Sequence, residues 1–389
     1  VATDNSATDT EHSWDQVREF AYSFAHKGRT EVISLDAADK RICAENLVAL
    51  TNLPFANSSS MDGWAVNGNG PWKIADAPQL EKGQASVTTT GAALPIGAQA
   101  ILRTENGVLT GDHLKADTDN SANTEDIRIA GEECAMGQAL CAPGVTLNPA
   151  LIGLLAATGH DEIQVFAQPC VQIIITGDEL LTSGLPTREH VRDSLGIQIP
   201  MWLKRMGAHV LPVFHIGDQV EEISAALIVS PADIVLTTGG TAASAKDHFV
   251  SAISIAGGEV HFDGVAVRPG HPMKFAAVPN PAEQRIPVVG LPGNPLAAIV
   301  ALATLVQPML NKLLGQQLQP LIPVTTSRSL TAGKSGAKLV PGRVTAAGFM
   351  PAEFGGSAML RGLSGSTGFA VIDSAVNEGD TISFLPLPG

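Results

Sequence analysis

Three short apolar runs in the second half of the chain each end in a glycine turn. Val171-Gln172-Ile173-Ile174-Ile175 leads into Thr176-Gly177-Asp178-Glu179-Leu180, and Asp233-Ile234-Val235-Leu236 leads into Thr237-Thr238-Gly239-Gly240-Thr241. Ile286-Pro287-Val288-Val289 leads into Gly290-Leu291-Pro292-Gly293-Asn294-Pro295. Runs this short, rich in β-branched residues and closed by glycine, read as buried strands. Between the first two, about Ser194 to Met206 and Val220 to Val229, apolar residues recur at three- and four-residue intervals, the period of a helix. After the third, the long apolar segment Leu296 to Leu310 predicts another helix, with Pro295 suited to its first turn and Asn294 placed as its cap. The alternation of strand and helix predicts a parallel sheet with crossover helices, over about Gln168 to Gly315. Ligands of such sheets sit beyond the carboxyl ends of the strands, where all three glycine turns fall.

The texture differs on either side. Trp14 to Ala25 has an amphipathic helical pattern, and Glu31 to Leu50 reads as a strand or turn followed by a short helix. From Asn67 to Val145 short alternating runs, such as Ala100-Ile101-Leu102 and Gly107-Val108-Leu109, are separated by Gly, Asn and Asp and predict a β-rich module. Leu147 to Thr158, with Asn148-Pro149 in front and Gly159 behind, is signalled as a helix. The tail from Leu321 returns to short runs between glycine turns, including Gly368 to Ile372 and Asp380 to Phe384, and reads as a small β-barrel or sandwich. The fold class expected is therefore α/β plus β, multidomain. The 389 residues exceed one ordinary core and imply two to four domains.

Composition narrows the function. Aromatic residues make up only 4%, with a single Tyr, so the cores are expected to be built from Ala, Val, Leu and Ile. A formal net charge of -14 argues against nucleic acid as the main partner, yet local cations and helix N-termini still bind a small phosphate inside an acidic protein. Cys43, Cys134, Cys141 and Cys170 show no zinc-type spacing and read as reduced, buried thiols. No apolar run reaches the roughly 18 to 20 residues of a membrane span, and Val1 to His12 lacks the regions of a signal peptide, so a cytoplasmic protein is expected.

The chemistry concentrates at the predicted sheet edge. Glycine turns opening onto helices leave backbone N–H groups at the positive end of the helix dipole, an anion site. They would bring Asp178, Glu179 and Asp247 near the donors of Gly239, Gly240 and Gly293. Carboxylates beside anion-binding turns suit a phosphate held with a divalent metal. Taken singly, each turn also serves as a plain strand-to-helix connection and each acid as a surface cap or ion pair. Asp218, after Ile216-Gly217 and before a helix, equally suits an N-cap.

Five motifs in order settle a resemblance. Ser59-Ser60-Met61-Asp62-Gly63-Trp64-Ala65-Val66, Thr90-Gly91-Ala92-Ala93-Leu94-Pro95, Thr176-Gly177-Asp178-Glu179-Leu180, Gly239-Gly240 with Asp247, and Leu291-Pro292-Gly293-Asn294-Pro295 together resemble the molybdopterin molybdenumtransferase family, which also includes the C-terminal domain of gephyrin. The resemblance implies a discontinuous linker domain over 13–50 and 145–168, and an elongated β-rich inserted domain over 51–144. It further implies a parallel-sheet α/β molybdopterin-binding domain over 169–317, a C-terminal β-barrel over 318–389, and a homodimer in which the Asp62 loop of one chain faces the α/β edge of the other. The implied activity is insertion of molybdate into adenylylated molybdopterin with Mg2+ and release of AMP, with a molybdopterin adenylyltransferase as pathway partner. Carried over by position, Asp62, Glu179, Asp218 and Asp247 stand where the family has functional carboxylates and are candidate Mg2+ ligands. Glu133 stands where its pattern usually has Asp. Thr90, Gly91, Thr176, Gly177, Asp178, Asp193, Gly239, Gly240, Arg268, His271, Pro292, Gly293, Asn294 and Pro295 fall at substrate-binding positions.

The chain departs from that pattern in places. In Val267-Arg268-Pro269-Gly270-His271-Pro272 the family usually has two lysines, so Arg268 keeps the charge and His271 keeps it only when protonated. Alternatively His271 simply packs between Pro269 and Pro272. Ser244-Ala245 replaces a Gly-Glu pair, and Leu195 replaces a polar residue. A non-catalytic paralogue and an adenylyltransferase are the alternatives these changes raise.

Overall fold

The computed structural model describes residues 12–117, 121–239, 248–280, 284–333 and 336–388. Gly240 and Asp247 lie outside the described residues. The chain divides into two compact units, one of residues 32–165 and the other of the flanking segments, up to 31 and from 166 onward.

The larger unit is built on a mixed sheet with seven strands among the described residues: β1 (Cys170–Thr176), β2 (His209–Val210), β3 (Phe214–Ile216), β4 (Ile234–Thr238), β5 (Glu259–Asp263), β7 (Lys274–Pro279) and β8 (Arg285–Leu291), with β6 (Val267–Arg268) belonging elsewhere. The order is β2-β1-β4-β8-β7-β5, and β3 pairs with the carboxyl half of β1. Strands β1, β4 and β8 are parallel, as the alternation predicts, and their ends are level: Thr238 pairs with both Ile175 and Leu291. The expectation of a purely parallel sheet is corrected by β7, which runs antiparallel to β8 and to β5. The reason is chain length. Only five residues join β7 to β8, too few for the crossover that a parallel pair needs.

Helices cover both faces. Side chains alternate along each strand, so Ile173, Leu236, Val289 and Phe275 pack on one side with helices α1 (Trp14–Phe24) and α2 (Leu195–Arg205). Ile174, Val235, Val288 and Ala276 pack on the other with α3 (Val220–Val229) and α4 (His248–Ile255). Burial on both faces explains why the strands read as unbroken apolar runs. Ser13 and Gln16 form a reciprocal capping box at the start of α1, and Phe20 and Phe24 meet Phe262 and Phe275 edge-on, with centroids 4.7 and 5.0 Å apart.

The segment expected as one helix after β8 is continuous from Pro295 to Leu313. It comprises α5 (Pro295–Ala301), a π-helical stretch Leu302–Val306 and α6 (Gln307–Leu313). At 19 residues it is long and apolar enough to cross a membrane, which the sequence reading did not foresee, but 83% of its apolar window is buried inside the protein. In the π stretch the Thr304 hydroxyl donates back to the Val300 carbonyl at 2.7 Å and accepts the Trp14 indole N–H at 2.9 Å, tying this helix to α1.

Beyond it, β9 (Ile322–Thr325), β10 (Ala337–Thr345), β11 (Gly348–Pro351), β12 (Gly368–Ile372) and β13 (Thr381–Pro386) form a second sheet, ordered β6-β10-β12-β13-β9, with β11 on β10. Strand β6, and with it Arg268, belongs to this sheet: Arg268 pairs with Lys338.

In the smaller unit, strands Ala100–Arg103, Gly63–Val66, Gln84–Thr88, Trp72–Ile74, His113–Ala116 and Gly107–Thr110 lie in that order in one sheet. The short helix expected before Leu50 is a single 3-10 turn, Leu35–Ala37. Helix Pro149–Ala157 is capped by the Asn148 side chain, which accepts the Leu151 N–H at 2.9 Å. All four cysteines are free, and Cys43, Cys134 and Cys141 are buried.

Two outcomes follow. Leu305 is fully buried in the central helix, so Leu305→Ala should lower unfolding free energy by about 2–5 kcal/mol, read from urea melts. A change below about 1 kcal/mol would mean that the helix packs loosely. Burial, then the neighbouring Cys43, push the Cys141 thiol up to about 12. The native protein at pH 8 should therefore keep Cys141 unalkylated by iodoacetamide over a period that modifies it fully in urea; equal labelling in both would contradict its burial.

Candidate functional site

At the carboxyl edge of the first sheet the structure brings together Thr176, Gly177, Asp178 and Glu179 after β1, Asp218 after β3, Gly239 after β4, and Pro292, Gly293 and Asn294 after β8. The strand ends are locked to one another. The Thr176 hydroxyl is buried and donates to the Thr238 carbonyl at 2.7 Å. Gly239 turns away with φ 86, and a Cβ there would stand 2.7 Å from the Thr176 hydroxyl oxygen, so this crossing needs glycine. Asp178 and Glu179 are exposed, and neither carboxylate has a hydrogen-bond or ion-pair partner among the described residues. Both are therefore open to a ligand. Asp218 is half-exposed and precedes Gln219, which is the N-cap of α3, so the capping role weighed for Asp218 does not apply.

Two expectations at this edge need correction. The turn after β8 was expected to leave free N–H donors at a helix start. Instead the N–H groups of Leu296 and Ala297 both donate to the Ser357 carbonyl, at 3.0 and 3.3 Å, and Pro295 has no N–H to give. Asn294 is the N-cap by position, but its side chain makes no cap bond; its amide reaches the Ser357 hydroxyl at 3.5 Å. The first turn of α5 is thus satisfied by protein rather than held open. Asp193 is also engaged: it is 5% exposed, and its two oxygens accept the Gly196 N–H at 2.8 Å and meet His215 Nε2 at 3.1 Å.

Arg268 is exposed at the end of β6 and has no carboxylate partner among the described residues. His271, three residues on, is half-buried. Its Nδ1 bonds the Val265 carbonyl at 2.9 Å, and its own carbonyl accepts the Val265 N–H at 3.0 Å. The ring therefore closes its own turn, and the standing positive charge there is that of Arg268. Lys274, buried at the start of β7 level with Gly290, pairs with Asp263 across to β5.

Four candidates lie in the smaller unit. Asp62 is exposed in the turn between Ser59 and Gly63, and its Oδ1 accepts the Thr90 N–H at 2.7 Å. The Gly91 N–H donates to the Ser59 carbonyl at 2.8 Å, so the Asp62 and Thr90–Gly91 turns are held side by side. Behind them the Ser60 N–H and hydroxyl both donate to the Asp126 carbonyl, each at 2.8 Å, and Arg103 grips the buried Asp126 carboxylate with two bonds of 2.8 Å. Gly63 meets the neighbouring strand so closely that a Cβ would lie 2.1 Å from the Leu102 carbonyl oxygen. Glu133 is exposed on a separate turn, where the N–H groups of Glu133 and Cys134 share the Leu53 carbonyl.

The sequence reading missed His215 and Ser357. The run Phe214-His215-Ile216-Gly217-Asp218 ends in the same Gly-Asp pair as the turn after β1, a signal for a fourth strand end. Ser357 lies in a glycine-rich loop far along the chain, and no local pattern ties it to α5.

Comparison with known proteins fits this geometry. Residues 10–159 match the MoeA N-terminal region (domain I and II), and residues 172–312 match a probable molybdopterin binding domain. The fold superposes on the molybdopterin biosynthesis moea protein of Pyrococcus horikosii with a TM-score of 0.79, covering 98% of this chain and 100% of that one at 22% identity. Molybdopterin molybdenumtransferase 2 of Mycobacterium tuberculosis is 31% identical over 317 residues, 74% of this chain and 76% of its own length. The molybdopterin molybdenumtransferase of Haemophilus influenzae is 30% identical over 305 residues, 74% of each chain. Identity at this level over that share of both chains, with the five motifs in order, means that the chain belongs to the molybdopterin molybdenumtransferase family.

Proposed function

We propose that this protein inserts molybdate into adenylylated molybdopterin, cleaving the phosphoanhydride and releasing AMP. The observation that carries the reading is the edge itself, where three level strand ends present the open carboxylates of Asp178 and Glu179 beside glycine turns. A phosphoanhydride brings several negative charges, and carboxylates beside it are tolerated as ligands of a divalent cation or as groups that orient the incoming oxyanion. Among the described residues no three His, Cys, Asp or Glu gather as a ready cage. The donor chemistry still fits Mg2+, which commonly uses one or two carboxylates together with substrate phosphates and water. One or two of the candidate carboxylates Asp62, Glu179, Asp218 and Asp247 would hold it. When bound, it would neutralise charge on the phosphoanhydride. The chain's own part is to fix the strand ends through Thr176, to aim Asp62 through the Thr90 N–H, and to attract molybdate to Arg268.

The finer domain description belongs to the same reading: a linker over 13–50 and 145–168, an inserted module over 51–144, and a C-terminal sheet closing as a barrel. So do a homodimer, a cytoplasmic location and an adenylyltransferase supplying the adenylylated substrate. A second reading, a non-catalytic molybdopterin-binding protein, is favoured by one observation. His271 is tied into its own turn where the family usually has lysine. Molybdate-dependent AMP release from the adenylylated substrate supports the first reading, and substrate binding without release supports the second.

Asp62→Asn and Glu179→Gln remove charge without changing shape. Each should lower kcat/KM by about 100-fold or more with the melting temperature unchanged, since loss of a charged group acting on the phosphates costs several kcal/mol. Near wild-type AMP release from both variants at saturating Mg2+ would reject the carboxylate assignment. In a dimer whose sites draw on both chains, mixing the two variants should restore part of the activity through hybrid dimers with one intact site. A monomer at micromolar concentration by light scattering would exclude that arrangement, as would variants that never complement after subunit exchange.

A further inference from the structure

Among the described residues, His215 is the one imidazole mounted on a carboxylate at the carboxyl edge, and no motif assigns it a role. It lies in β3 beside β1, level with Ile175, one residue short of the Thr176 turn. Its Nε2 meets Asp193 Oδ2 at 3.1 Å, while the other Asp193 oxygen accepts the Gly196 N–H at 2.8 Å. Asp193 is 5% exposed, whereas the His215 side chain is 41% exposed. Glycine at 196 makes the pair possible: a Cβ there would lie 2.2 Å from Asp193 Oδ2 and 3.3 Å from His215 Nε2. An ionised carboxylate only accepts, so Nε2 is the N–H that faces Asp193, and in that tautomer Nδ1 is a lone-pair acceptor. Among the described residues Nδ1 has no hydrogen-bond partner.

The surroundings select what Nδ1 meets. Asp178 lies over Gly217, with its Oδ1 3.3 Å from where a Cβ would stand, Glu222 flanks the same point at 3.8 Å, and Asp218 follows in the chain. A rim this acidic repels a bare phosphate and favours N–H donors. Resting on the proposed function above, the geometry points to His215 as a ligand-contacting residue. Held by Asp193, its Nδ1 accepts a hydrogen bond from an amino or ring N–H of the heterocycle bound at this edge. Pterin and adenine both carry such donors, and the experiment separates them.

Two substitutions divide the ring's functions. His215→Gln keeps a donor where Nε2 was and so keeps the tie to Asp193, but it loses the acceptor at Nδ1. His215→Asn places its amide oxygen near the Nδ1 position and gives up the tie. Titration calorimetry of the full chain with 6-hydroxymethylpterin and, separately, with AMP should show affinity for one of them falling about tenfold in His215→Gln, the scale of one lost hydrogen bond. His215→Asn should stay within about threefold of wild type for the same probe. The probe that responds identifies the heterocycle. The opposite order, with His215→Gln harmless and His215→Asn weakened, would mean that His215 only ties β3 to α2 and would overturn the inference. Binding of both probes unchanged in His215→Gln would overturn it too, while molybdate-dependent AMP release by the wild type left the proposed function standing. A wild type that binds neither probe overturns the site and the inference together.

Discussion

Backbone pairing between β1, β4 and β8 is the constraint on which the rest of the larger unit depends. Because Thr238 is level with both Ile175 and Leu291, three strands stop at one line, and three chemically different turns begin from it. A register slip of one residue would send Ile173, Leu236 and Val289 to the wrong face and break both layers of core at once. The same burial that fixes the register fixes the edge. The Thr176 hydroxyl on the Thr238 carbonyl then joins the first two turns, and that crossing is possible only because Gly239 has no side chain.

What stands on that edge is polarised. Asp178, Glu179 and Asp218 gather at the ends of β1 and β3, with the Asp193–His215 pair beside them. Arg268 stands on β6, which pairs into the C-terminal sheet. The C-terminal region takes part at another point as well, because the Ser357 carbonyl occupies the first N–H groups of α5. The Leu296 and Ala297 N–H groups at this helix start are therefore already taken by protein. Arg268, by contrast, is an exposed cation with no carboxylate partner among the described residues.

Much of this was legible in the chain. Strand β1, helix α3 and strand β12 emerge within about one residue of their apolar runs, because burial on one or both faces imposes period and length. The five motifs placed the candidate turns by order alone. Contacts between residues distant in sequence were not legible. Nothing local announces that Ser357 caps α5 or that β6 leaves its neighbours for another sheet, whereas the five-residue link that turns β7 back antiparallel is local and went unread. Asp193 read as a ligand-facing acid because its position in the motif carries no sign of its burial or of His215. The central helix was legible over Leu296 to Leu310, but its π stretch was not, because the Trp14 indole that meets Thr304 there is distant in sequence.

The central claim is that the edge after β1, β4 and β8 receives the substrate. It is tested most directly by a crystal structure of the protein soaked with Mg2+, AMP and molybdate. The account predicts nucleotide density against the turn at Gly177 to Glu179 and Gly239, with molybdate on the side of Arg268. Ligand density confined to the smaller unit, or a nucleotide phosphate seated on the first turn of α5 with the Ser357 carbonyl displaced, would contradict it.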